Sequence, residues 1–172
     1  MRLFHVSEES DINIFNPRVP LRADMDKSVG VVWALDEKRL PNFLTPRDCP
    51  RVCYHIGPNT TEADIREYFP DRESCHAVVI ERDWLERMKN TVLYIYEFDP
   101  KDFVLQDDVA GYYIATVSQT PIAVHRVDNL LGALAKAKVE LVLSDYLWEI
   151  AERIKNTGLN WSLCRMKNAK TK

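Results

Sequence analysis

The chain has 172 residues, 46% apolar and 28% charged, which is enough for one sizeable core and excludes a low-complexity or collagen-like chain. A net charge of −3 leaves no overall basic field for nucleic acid. No apolar run approaches the ~20 residues of a membrane span, so neither nucleic acid nor membrane is expected as a partner.

Residues 2–7 read as a first strand and carry no signal-peptide pattern. Asn16-Pro17-Arg18-Val19-Pro20 forces an extended loop, and a polar stretch from Arg22 to Ser28 leads to Gly30. Val31 to Leu35 is the second strand, and Asp36 caps a short helix through Leu40 and Phe43-Leu44. Arg51 to Ile56 is the third strand. Thr61 and Asp64 form a capping box for a helix with Ile65, Tyr68 and Phe69 on one face, stopped at Pro70. His76 to Ile80 is a strand, and Asp83 with Glu86 starts a helix carrying Trp84, Leu85 and Met88.

Thr91 to Phe98 is apolar on both faces except at Glu97, which predicts a central strand. Val104-Leu105, Tyr112 to Val117 and Ile122 to His125 add strands. A helix over 128–137 is predicted to bury Leu130, Leu131 and Leu134. Val139 to Leu143 is a strand, and Ser144 caps a last helix over 145–155 burying Leu147, Trp148, Ala151 and Ile154. Leu159 to Met166 reads as a final strand, and residues 167–172 as a flexible basic tail. Strands outnumber helices without regular alternation, so the fold class is α+β: a mixed or antiparallel sheet core with peripheral helices, in a single domain over residues 1–172.

Cys49, Cys53, Cys75 and Cys164 follow no paired Cys-x-x-Cys spacing, and the absence of a signal pattern points to reduced thiols in the cytoplasm. Cys49, Cys53, His55 and His76 are a conceivable zinc set, but their spacing is wrong for a closed structural site, so no metal is expected. Asn59-Thr60-Thr61 and Asn160-Trp161-Ser162 are then chance glycosylation triplets.

No phosphate-cradling glycine loop, Gly-x-Ser-x-Gly elbow or His-Glu-x-x-His stretch occurs. His5 and Ser7 share one strand face, and His5 is either a core histidine bonded to a carbonyl or a ligand residue. Arg18, between prolines, either clamps an anion or braces its loop. Glu97 on a sheet needs a partner or water.

Three segments resemble the ADP-ribosyltransferase fold. Leu3-Phe4-His5-Val6-Ser7 is similar to the family's first strand, whose histidine holds the nicotinamide ribose. Gly30 to Asp36 is similar to its second motif, in which Trp33 would be the aromatic that stacks on nicotinamide. Ala110-Gly111-Tyr112-Tyr113-Ile114 is similar to the third, where Tyr112 stands in place of the catalytic glutamate and Val6 in place of a glycine. The resemblance implies NAD as ligand or substrate and a ligand site of His5, Ser7, Arg18, Trp33, Tyr112 and Tyr113. Transfer would need another acid, with Glu97, Asp107 and Glu140 the candidates. The chain as a whole also resembles a small set of uncharacterised bacterial proteins sharing Pro46 to Val52 and Tyr96 to Pro100. The alternative is a non-enzymatic small-ligand or protein-interaction domain.

Overall fold

The structure, a computed structural model, describes residues 1–20 and 25–171, so Arg22 and Lys172 lie outside the described residues. It is α+β, with ten strands in two sheets and four α-helices among the described residues. Two compact units share the chain: Met1–Phe43 with Leu93–Val127, and Leu44–Val92 with Asp128–Lys172.

The first unit is a six-stranded antiparallel sheet. Its strands are β1 (Leu3–Ser7) and β2 (Val32–Asp36), followed later in the chain by four more. These are β5 (Leu93–Phe98), β6 (Val104–Asp107), β7 (Tyr112–Ala115) and β8 (Ala123–Val127), in the spatial order β6-β7-β2-β1-β5-β8. β5 is interior, paired with β1 on one side and β8 on the other, as its apolar faces require. One face carries the core of Leu3, Val32, Ala34, Tyr96, Phe98 and Phe103, with Ile12 and Phe15 packed over it from the loop after β1. That loop is pinned at Tyr96, whose hydroxyl donates to the Glu9 carbonyl at 2.6 Å and accepts from the Ile12 amide at 3.2 Å.

The second unit is a four-stranded sheet ordered β10-β3-β4-β9. It comprises β3 (Arg51–His55), β4 (His76–Glu81), β9 (Glu140–Ser144) and β10 (Asn160–Cys164), and only β4 and β9 run parallel. Four helices accompany it: α1 (Glu62–Tyr68), α2 (Leu85–Asn90), α3 (Leu130–Lys136) and α4 (Leu147–Ile154). Its core joins Val52, Tyr54, Ala77 and Val79 of the sheet to Tyr68 of α1 and to Leu147, Ala151 and Ile154 of α4.

Four expectations need correction: the burial of Trp148, the caps by Asp83 and by Ser144, and the flexible tail; α4 has Tyr146 at its N-cap and no side-chain cap bond. Trp148 is 42% exposed, because the buried stripe of α4 runs through Leu147, Ala151 and Ile154 and a neighbouring position points about 100° away. The helix near residue 85 starts at Leu85 after a 3₁₀ turn and receives no side-chain cap, so Asp83 does not start it. The basic end of the chain makes defined contacts: Met166 and Ala169 pack against the core, and the Lys170 amide donates to the buried Glu81 carboxylate at 2.8 Å.

Candidate functional site

All six residues singled out for ligand binding lie in the six-stranded unit, and the strand register separates them. Side chains alternate along a strand and directly paired residues share a face. His5 and Ser7 therefore face the same side as Leu3, Ala34, Tyr94 and Tyr96, and Tyr113, paired with Ala34, joins them. Trp33 and Tyr112 lie on the opposite face, where their rings meet edge to face at 5.3 Å and Phe43 stands 6.0 Å from Tyr112. The sheet thus brings His5, Ser7 and Tyr113 to one side, and gives Trp33 an aromatic neighbour on the other.

Between β1 and β2 the ladder opens. The two strands pair at Leu3↔Asp36 and Phe4↔Leu35, whereas β1 pairs with β5 along its whole length. One step beyond Phe4, the imidazole of His5 takes the place of a strand amide: its Nδ1 lies 3.0 Å from the Trp33 carbonyl oxygen. Residues two apart in a strand point their backbone groups to the same edge. Val31 therefore addresses the same seam as Trp33. There the backbone of Arg18 exchanges both hydrogen bonds with Val31, at 3.0 and 2.9 Å. The seam is closed at one end by β1, at the other by the Arg18 strand fragment, and bridged between them by a side chain.

This geometry fixes the state of His5. A carbonyl only accepts, so Nδ1 carries the proton and Nε2 is left as an acceptor. Burial is the main reason its pKa falls below the ordinary 6.5; the Trp33 carbonyl opposes that fall and the charge of Arg18 adds to it. The ring of Phe15 packs against His5 at 4.8 Å. Ser7 Oγ accepts from the Glu9 amide at 3.1 Å, which leaves its hydroxyl proton to donate. Arg18 is exposed, and its guanidinium has no hydrogen-bond or ion-pair partner among the described residues.

Of the three candidate acids, Glu97 is committed elsewhere. Arg2 grips it through two hydrogen bonds of 2.8 Å, and His125 Nε2 lies 3.4 Å from it. The Arg2 hydrogen bonds are the main cause that holds its pKa down to about 2. Asp107 accepts from the Ala110 amide at 3.0 Å and shapes the β6–β7 turn. Glu140 belongs to the other unit, where burial and then Asp71 raise its pKa.

The sequence did not single out Tyr94 and Arg126. Tyr94 is paired with Ser7 and Arg126 with Tyr94, so the three form one cross-strand row. Only the pairing register brings these distant segments together. In the second unit all four cysteines are free. Burial pushes the Cys49 thiol up to about 12 and raises Cys53 as well. The rings of His55 and His76 lie 5.7 Å apart, yet among the described residues no three His, Cys, Asp or Glu side chains converge as metal ligands. No described helix is long and apolar enough to cross a membrane.

No curated protein and no solved structure matches the chain. Residues 4–169 match the model of DUF6886, a family of unknown function, and the chain belongs to that family.

Proposed function

We propose that the six-stranded unit binds NAD or a related nucleotide at the open β1–β2 seam, as an ADP-ribosyltransferase-like domain in which binding outlasts transfer chemistry. The observation that carries this reading is the gap in the ladder, where the neutral His5 ring replaces a backbone amide on the face it shares with Ser7, with the charge of Arg18 at the far end of the gap. An imidazole acceptor and a serine donor suit ribose hydroxyls, and a guanidinium suits a phosphate. Tyr112 is no carboxylate and Glu97 is held by Arg2, so the electrostatic stabilisation that a free acid supplies is lacking at those positions. Trp33 and Tyr112 face the other side of β2 and β7 and pack on each other, so they take no part in this site. The four free cysteines fit a cytoplasmic setting.

Calorimetric titration of wild type and His5→Ala with NAD, ADP-ribose and nicotinamide tests the reading, together with an assay for nicotinamide release. Binding of ADP-ribose that weakens at least tenfold in His5→Ala, with little or no release, is the expected result. Equal binding in the variant makes His5 a core residue, and no binding to wild type removes the nucleotide reading.

A second reading, a non-enzymatic interaction domain, draws on one feature of the other unit. Tyr146 and Trp148, exposed by 38% and 42%, line a concavity of about 460 Å³ with Glu149, Glu152, Lys170 and Thr171. Exposed aromatics of this kind are common where proteins meet.

A further inference from the structure

We propose that the cross-strand row Ser7–Tyr94–Arg126 extends the seam site and binds the anionic, phosphate-bearing part of the ligand, which commits the site to an elongated phosphorylated ligand. The inference rests on the seam reading for the other end of the ligand.

The register sets Ser7 opposite Tyr94 and Tyr94 opposite Arg126, so the three side chains project from one face of β1, β5 and β8. Directly opposed residues have Cβ atoms roughly 5 Å apart. Phe15 covers the neighbouring rows, packing on His5, Tyr96 and Phe98. The Ser7 row lies beyond that cover: Ser7 and Tyr94 are half-buried and Arg126 is exposed.

Ser7 Oγ accepts from the Glu9 amide and keeps its proton to donate, and the other two polar groups of the row are unengaged. The Tyr94 hydroxyl and the Arg126 guanidinium have no hydrogen-bond partner among the described residues. The arginines of the unit divide accordingly. Arg2 is bound to Glu97 and Glu37, and Arg39 donates to the Val109 carbonyl. Arg18 and Arg126 alone among its described arginines have no side-chain bond, although the carboxylates of Glu8 and Glu9 follow Ser7 in the chain. Arg126 on β8 stands two strand spacings from His5 on β1, about 10 Å across the same face, whereas Arg18, paired with Val31, shares the opposite face of β2 with Trp33. A free guanidinium at one end of this face, the His5 imidazole acceptor at the other and the Ser7 and Tyr94 hydroxyls between them match an extended molecule with a diphosphate or a terminal phosphate. A lone nucleobase or nicotinamide would leave the Arg126 end empty.

The experiment is calorimetric titration of the full chain with ADP-ribose, inorganic pyrophosphate and adenosine, in wild type, Arg126→Gln, Arg126→Lys, Tyr94→Phe and His5→Ala. Circular dichroism shows that each variant keeps its fold. Arg126→Gln is expected to weaken ADP-ribose and pyrophosphate at least tenfold, with adenosine unchanged and Arg126→Lys intermediate. ADP-ribose binding that His5→Ala weakens while Arg126→Gln and Tyr94→Phe leave it at wild-type strength overturns the row and keeps the seam. Pyrophosphate binding that depends on Arg126, without ADP-ribose binding, supports the row and removes the nucleotide. A wild type that binds neither phosphate compound overturns both.

Discussion

His5 makes its neutrality measurable. The unfolded chain keeps the ordinary pKa of 6.5, and the folded value lies below it because burial opposes the charge. Above pH 6.5 both states are neutral and the full stability is present. As pH falls below that value the unfolded state takes up a proton before the folded state does, so stability declines. His5→Gln should therefore show a shallower loss of stability below pH 6.5 than wild type in urea titrations at a series of pH values. Parallel curves for the two proteins would mean that the ring titrates normally. At Trp148 the expectation is a small effect. The side chain is 42% exposed, so Trp148→Ala should cost under about 1 kcal/mol, whereas Ile154→Ala, at 0% exposure, should cost roughly 2–5 kcal/mol. Thermal melts of the pair separate the two, and a Trp148→Ala loss as large as that of Ile154→Ala contradicts the helix phase.

At the scale of elements, local chemistry explains most of what was legible in the sequence. Thr61 and Asp64 cap α1 reciprocally, as their spacing announces, and Asp64 also accepts from the Gly158 amide at 3.1 Å. Strand β5 is interior because it is apolar on both faces, and the one exception, Glu97, has Arg2 as its partner. α4 was legible in extent and less so in phase, because Leu147 and Trp148 are both apolar and only packing decides which one faces the core. The turn from β6 to β7 depends on Gly111, whose φ is +64° and whose carbonyl accepts from the Asp36 amide at 2.9 Å. A Cβ there would stand 2.5 Å from Arg39 Cγ and 2.7 Å from Asp36 Oδ1. Gly111→Ala should cost at least about 1–2 kcal/mol for the left-handed backbone alone, read as a lower urea midpoint. An unchanged midpoint would show that the turn relaxes into another form. The chain end belongs to this scale too. Deleting residues 166–172 removes Met166 and Ala169 from the core and the Lys170 amide from Glu81, which is 1% exposed. A lower melting temperature is expected; a melt identical to full length would make the segment a passive tail.

Across the whole molecule, the sequence carried the elements and not their partners. His5, Ser7, Trp33 and Tyr113 each sit on the strand where their neighbours placed them, but a linear reading cannot say which face of a sheet a strand turns inward until its pairing is known. The seam was equally illegible, since it arises where β1 leaves β2 and Arg18 takes its place. The pairing is long-range by construction. β1 meets β2 through only two residue pairs, and its five-residue ladder is with β5, which begins about ninety positions later at Leu93. β3 and β4 likewise await β10 and β9. A chain ending at Val92 would keep β1 to β4 and lose every strand that completes their sheets. Isolated pairs of strands are marginal in water. Fragment 1–92 alone should therefore show no cooperative melting transition by circular dichroism. Mixing it with fragment 93–172 should restore one, because the missing ladders are then supplied in trans. A fragment 1–92 that melts cooperatively by itself would mean that the short β1–β2 ladder and the β3–β4 pair suffice. The open seam would then be a stable edge of a smaller sheet, and not a gap held between completed strands.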